Sequence, residues 1–329
     1  MTFVTFLISG NPCTATNGSL TRSHLTCRNR LILSGSGVST RRLSRPGRDN
    51  HGPLPYIALM TARSFLKMHG LGNDFIVFDA REAPLAMTPA LARALADRHT
   101  GIGCDQLIVI GPGRSADAVT AAFWNHDGSE SAACGNGSRA VAALVGGAIT
   151  IETAGGTLNA EAAAGGATVD MGLPRFDWDA IPLAYPMDTR TLPLAWDELT
   201  EPGAANVGNP HVVFFVADPY AVPLETLGPR IETDPVFPER INVGVAALPA
   251  RDRMILRVWE RGAGLTRACG TGAVAAVAVA QRRGLADARV TVTLPGGDLV
   301  ITRADNGHLL MAGPATIAFT GSIDLERFA

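Results

Sequence analysis

The chain has 329 residues, of which 47% are hydrophobic and 18% charged, with a formal net charge of −2. That length allows two domains of ordinary size and a substantial apolar core. The balanced charge argues against a nucleic-acid or membrane-surface binder, and no apolar run is long enough to span a bilayer. Five cysteines, with neither framework spacing nor a CxxC pair, fit no disulfide scaffold and no structural zinc site. A reducing, cytoplasmic setting is therefore expected.

Residues 1–59 differ in kind from the rest of the chain. They are rich in Ser, Thr, Arg, Gly and Pro, and Asp49 is their only acid. Such a segment buries too little surface to offset its ordering entropy. An Arg- and Ser-rich, acid-poor leader resembles an organellar transit peptide. The preferred reading is a start codon set too far upstream, with Met60 as the true beginning. The extension is drawn at residues 1–63, and Cys13 and Cys27 receive no role.

The remainder contains itself twice. Residues 71–78 (LGNDFIVF) match 207–214 (VGNPHVVF), and 133–140 (ACGNGSRA) match 268–275 (ACGTGAVA). Residues 149–158 (ITIETAGGTL) match 290–299 (VTVTLPGGDL), and Met171 and Pro174 match Met311 and Pro314. Four blocks in register imply duplication. The expected division is a first half of residues 64–177 plus 316–329 and a second half of residues 178–315.

Each unit reads alike. A strand (75–80 or 212–217) follows the Gly-Asn turn, and another (119–124 or 254–260) leads to the cysteine turn. A helix comes next, over about 137–144 or 271–283, apolar nearly all round and so buried on every side. Arg282 and Arg283 suit its C-terminal pole, and Gly284 is its stop. Strands such as 288–294 and 298–303 complete the unit around a GG turn. The expected fold is α+β: two pseudo-symmetric domains, each a barrel-like set of strands wrapped around a central helix. No GxGxxG follows a strand, which argues against a doubly wound nucleotide fold.

Cys134 and Cys269 stand where the two helices begin. A helix N-terminus offers unpaired N–H groups and partial positive charge, so a thiolate there is expected to be stabilised, with its pKa lowered. The same N–H groups can grip a carboxylate at Gly135-Asn136 and Gly270-Thr271. An amino-acid α-carbon then sits between two sulfurs, one removing its proton and the other returning one to the opposite face. A disulfide between the pair is the oxidised alternative. Cys104 reads as a small buried hydrophobe.

Around this pair, Asn73, Asn125, Asn209 and Asn242 lie in tight turns, where Asn tolerates left-handed backbone. Glu260 and Arg261 end a strand, and Arg261 suits a bidentate carboxylate. His211 either tunes a thiol or sits satisfied in the core, and His69 reads as structural. No spacing resembles a metal site, and no lysine context suggests pyridoxal phosphate.

With KMHGLGNDF (67–75), GIGCDQ (101–106), WNHDGSESAACGNGSR (124–139), VGNPH (207–211), ERINVG (239–244) and ERGAGLTRACGTGA (260–273), the sequence resembles the diaminopimelate epimerase family over residues 64 to about 320. The resemblance implies cofactor-independent interconversion of LL- and meso-diaminopimelate with Cys134 and Cys269 as the base/acid pair. It implies substrate contacts from Asn73, Gln106, Asn125, Gly135, Asn136, Asn209, Asn242, Glu260, Arg261, Gly270 and Thr271, and modulation of the thiols by His211 and Glu260. It also implies a homodimer, with Phe319 as the interface aromatic, and neither cofactor nor metal. Leu265 stands where the family usually carries Glu, and Val274 where a further Cys is common. The alternatives are a proline racemase-like or related isomerase, or a non-catalytic amino-acid-binding or redox-sensing relative.

Overall fold

The computed structural model describes residues 62–132 and 134–328, so the expectations for residues 1–59 and for Met60 lie outside the described residues. The first hairpin joins β1 (Ala62–Gly70) to β2 (Asn73–Asp79) through Leu71 and Gly72, at φ 58° and 88°. A two-residue turn of this kind needs left-handed backbone at both positions, which glycine adopts freely and leucine only under constraint. Ala62 and Arg63, placed in the extension by sequence, are the first residues of β1. Their strand partners lie at the far end of the chain, at Asp324 and Ile323, beyond the reach of local pattern.

Helix α1 (Pro89–Ala96) is capped by Thr88 and has proline in its first turn. Then come β3 (Gln106–Pro112), β4 (Ala118–Asn125), the short β5 (Glu130–Ser131) and helix α2 (Gly135–Val145). Strands β6 (Ala148–Thr153), β7 (Gly156–Ala163) and β8 (Gly166–Asp170) close the first half. A small hairpin, β9 (Ala195–Trp196) and β10 (Leu199–Thr200), forms its own sheet on the connecting segment.

The second half repeats the order as β11 (Gly203–Asn206), β12 (Pro210–Phe215), α3 (Leu224–Glu232), β13 (Asn242–Ala250), β14 (Arg253–Glu260), β15 (Gly264–Thr266), α4 (Gly270–Arg282), β16 (Arg289–Leu294), β17 (Gly297–Arg303) and β18 (Leu309–Pro314). Strand β19 (Thr316–Asp324) then returns to pair with β1.

The pairing scheme repeats strand for strand. β2–β3 is parallel, β3–β4 and β4–β5 antiparallel, β4–β6 parallel, and β6–β7 and β7–β8 antiparallel. β12–β13, β13–β14, β14–β15, β14–β16, β16–β17 and β17–β18 run through the same series of directions. The halves join where β8 runs antiparallel to β18, Val169 facing Met311 and Asp170 facing Leu310. Advancing Val169 and Met171 by the repeat offset of 140 gives Leu309 and Met311. Met171 in turn binds the Leu309 carbonyl, so the register maps onto itself and the pseudo-two-fold passes through Asp170 and Leu310. Backbones meet closely there: a β-carbon on Gly166 would lie 2.1 Å from the Gly313 carbonyl oxygen.

Each central helix is sheathed by the strands of its own half. In α4 every residue from Gly270 to Ala280 is buried except the half-buried Thr271, so the all-apolar reading holds. The helix stops as expected, with Gly284 at φ 71° and the Leu285 N–H returning to the Ala280 carbonyl. Both helices begin slightly earlier than sequence pattern indicates, because the cysteines serve as N-caps.

Candidate active site

Cys134 caps α2, its Sγ accepting the Gly137 N–H at 3.2 Å, and Cys269 caps α4, its Sγ accepting the Gly272 N–H at 3.3 Å. In each case the sulfur replaces the oxygen of an ordinary Ser or Asp cap and satisfies one orphan donor. Both are free thiols. The helix starts abut: Asn136 donates from Nδ2 to the Ala268 carbonyl at 3.2 Å, one residue before Cys269. Met311, beside the pseudo-two-fold, packs against both turns, since a β-carbon on Gly135 would meet its Cε at 3.0 Å and one on Gly270 its Sδ at 2.9 Å.

The surrounding polar groups sit at corresponding strand ends of the two halves. Asn73 and Gln106 are the first residues of β2 and β3, and Asn125 the last of β4. Asn209 precedes β12, Asn242 begins β13 and Glu260 ends β14. The fold thus pairs Asn73 with Asn209, Gln106 with Asn242, Asn125 with Glu260 and Cys134 with Cys269 about one axis. The asparagines do not occupy left-handed backbone as expected. That conformation falls to Leu71, Arg240 and the turn glycines; strand pairing holds Asn73, Asn125 and Asn242 and leaves their amides to bind neighbours, while Asn209 lies in the bend just before β12.

Those amides interlock. Asn73 donates to Asp105 Oδ2 at 3.1 Å and accepts from Asn136 at 3.3 Å. Gln106 donates to Asn125 at 3.0 Å, leaving its own Oε1 buried and unpartnered. Asn242 accepts the Arg261 backbone N–H at 2.9 Å and donates to the Pro210 carbonyl at 2.8 Å. The exposed Arg261 guanidinium donates to the Glu239 carbonyl at 2.9 Å.

The electrostatics differ from the helix-dipole expectation. Burial dominates, pushing Cys134 up to about 11 and Cys269 well above the usual thiol range, with the Gly137 and Gly272 N–H bonds only partly opposing it. Glu260 raises both thiols further and hydrogen-bonds Cys269, while its own carboxyl is raised by burial against the hydrogen bonds of Thr266 and Cys269. His211 is fully buried, with Nε2 2.9 Å from Asn209 Oδ1 and Nδ1 without a partner. Burial first, and the Arg261 charge second, bring it down to about 3, so it is a neutral imidazole. Cys104 is the buried hydrophobe expected, raised to about 12 by burial.

The family model described as diaminopimelate epimerase matches residues 65–176 and 203–318 of this sequence. The chain belongs to the diaminopimelate epimerase family. A diaminopimelate epimerase from Erythrobacter litoralis is 62% identical over 262 residues, covering 79% of this chain and 97% of the relative. One from Rhizorhabdus wittichii is 60% identical, covering 80% and 96%. Among solved structures, a phenazine biosynthesis protein from Bacillus anthracis superposes with TM-score 0.59 at 16% identity, covering 80% of this chain and 99% of the other. A hydroxyproline epimerase from Agrobacterium vitis superposes with TM-score 0.56 at 14% identity, covering 80% and 91%. At such identities these two show the fold alone.

Two residues of this candidate site escaped the sequence reading. Glu232, buried at the end of α3, accepts the Trp259 indole N–H at 2.7 Å and the Gly262 N–H at 3.0 Å, so it holds the Glu260-Arg261 turn from both sides. Arg139 lies fully buried on α2. Its signal was legible, as a charge within a helix otherwise small and apolar.

Proposed function

We propose that this chain interconverts LL- and meso-diaminopimelate through its two N-capping cysteines. The observation that carries the reading is the meeting of two duplicated Cys-capped helix starts at the Asn136–Ala268 contact, in a chain 62% identical to a diaminopimelate epimerase. One sulfur, as thiolate, takes the α-proton. The C–H bond breaks, its electron pair passes toward the carboxylate, and an S–H bond forms. The opposite thiol then gives its proton to the other face of the carbon. Protons and charge balance, and the reaction so written needs no cofactor.

The N–H groups of the two first turns, at Gly135, Asn136, Gly270 and Thr271, hold the reacting carboxylate against both helix dipoles. As charge grows there in the transition state, those groups bind it more strongly than the ground state. Asn73, Gln106, Asn125, Asn209, Asn242, Glu260 and Arg261 receive the rest of the substrate. Glu260 and the neutral His211 set the environment of the thiols. The three described cysteines are all free thiols, which supports a cytoplasmic enzyme. Exposed Ile317 and Phe319 on β19 support a homodimer through that strand.

The test is deuterium wash-in. Incubation with LL-diaminopimelate in D₂O, monitored by NMR, should show α-deuterium incorporation with formation of the meso isomer, lost in Cys134→Ala and in Cys269→Ala. Exchange of proline in place of diaminopimelate would move the assignment to a racemase on the same fold. Unaltered activity in both variants would refute the two-thiol mechanism.

A further inference from the structure

Arg139 is wholly buried, yet among the described residues it meets no carboxylate. Nη2 donates to Asn136 Oδ1 at 2.9 Å, Nη1 reaches Met311 Sδ at 3.4 Å, and Nε has no partner. A buried cation without a counter-charge is strongly disfavoured, so a fold that keeps one points to an anion nearby. Arg139 lies on α2, the helix that Cys134 caps, and long helical side chains lean back toward the helix start. Its hydrogen bond to Asn136 also fixes that amide with Oδ1 inward and Nδ2 toward Asn73 and Ala268.

The two halves differ in charge at matching positions. At the repeat offset of 135, Arg139 corresponds to Val274 and Glu260 to Asn125. The first half therefore has a cation in its helix and a neutral amide at its strand end, whereas the second has a neutral helix and an acid at its strand end. Arg139 favours negative charge at Cys134 and has no counterpart at Cys269, whereas Glu260 disfavours charge at both sulfurs and hydrogen-bonds Cys269 directly. The charged groups bearing on the Cys134 sulfur are Glu260, against its ionisation, and Arg139, for it, whereas Glu260 alone bears on Cys269.

We infer that Arg139 is a positioning residue that holds the thiolate of the pair at Cys134 and latches Asn136 in place, leaving Cys269 as the proton-bearing partner. The inference rests on the two-thiol reading above, but its test does not use turnover of diaminopimelate. The pH dependence of iodoacetamide alkylation is measured separately at each cysteine by peptide mass spectrometry, because only the thiolate reacts. In the unaltered protein the Cys134 midpoint should fall at lower pH than that of Cys269. Arg139→Met should raise the Cys134 midpoint by about one unit, a tenfold loss of reactivity at fixed pH below it, and leave Cys269 unmoved. Arg139→Lys, which keeps the charge, should hold the Cys134 midpoint near its original value. A reversed order in the unaltered protein, which needs no variant to fold, overturns the inference. So does an equal shift at both cysteines in folded Arg139→Met. Loss of the wash-in activity with the alkylation pattern intact would instead count against the proposed reaction.

Discussion

At Gly272 the room left beside the second sulfur is smaller than one methyl group. A β-carbon there would lie 2.9 Å from Val258 Cγ2 and 3.2 Å from Cys269 Sγ. Gly272→Ala should cost about 1–3 kcal/mol of stability by overpacking. On the proposed mechanism it should lower kcat/KM by up to roughly a hundredfold, because displacing the Cys269 sulfur by as much as about 1 Å is amplified in rate. Urea midpoints and the rate of deuterium wash-in separate the two effects. His211 carries a pH dependence of known sign. Its folded value of about 3 lies below the roughly 6.5 of an unfolded histidine. The unfolded chain therefore binds the proton more readily, and stability is complete above about pH 6.5 and falls as pH drops toward 3. His211→Asn should flatten that part of the stability profile, as read from denaturant midpoints at pH 7 and pH 4.5.

Among the elements, β2 and β3 are held in register by a crossed pair of acids. The Asp74 N–H donates to Asp105 Oδ2 and the Asp105 N–H to Asp74 Oδ1, at 3.1 and 3.0 Å. Arg98 bridges both carboxylates at 2.7 Å, and Lys67 closes on Asp74. Hydrogen bonds from Arg98 and Lys67 hold the Asp74 carboxyl well below the usual range, overcoming the burial that raises it. A carboxylate so depressed contributes stability that is present above about pH 3.9 and lost as pH falls below that value. Asp74→Asn should therefore cost about 1–3 kcal/mol at pH 7, and the gap to the unaltered protein should close in acid. Because Asn73 is anchored on Asp105, the same variant should raise KM for diaminopimelate.

These elements also mark what local sequence could reveal. The cysteine caps, the buried helices and the strand order are spelled out within short stretches and then spelled again, so the repeat makes them legible. Helix α1, which has no counterpart in the sequence reading, begins on the cap Thr88 and Pro89. Helix α3 concealed itself behind Gly228 and Pro229, two poor helix formers. Gly228 is needed there because a β-carbon would strike the Trp259 ring at 2.5 Å. The raised thiols were hidden for a different reason: the packing that buries Cys269 and half-buries Cys134 belongs to the tertiary fold. Arg139 was visible as a letter, but its lack of an acid partner was not.

For the molecule as a whole, the fit between halves can be probed at Gly296, where a β-carbon would lie 1.9 Å from the Leu71 carbonyl oxygen of the other half. Gly296→Ala should lower stability by at least the roughly 1–3 kcal/mol of ordinary overpacking, since two backbones must part. It should also depress wash-in, because Leu71 leads into Asn73. The proposed dimer is tested at β19, whose Phe319 is half exposed although its ring meets Phe65 edge-on. Phe319→Asp should shift light-scattering mass from two chains to one without unfolding the protomer.

The pairing of β1 with β19 has a practical outcome for engineering. Ala62 and Asp324 are cross-strand partners, so a short linker could fuse these edges and fresh termini could be opened at the exposed Tyr185 and Pro186 in the segment between the halves. Such a circular permutant would translate the halves in swapped order while leaving both sulfur-capped rods uncut. Its catalytic competence would show that the site depends on how the repeats clasp, and not on which is made first.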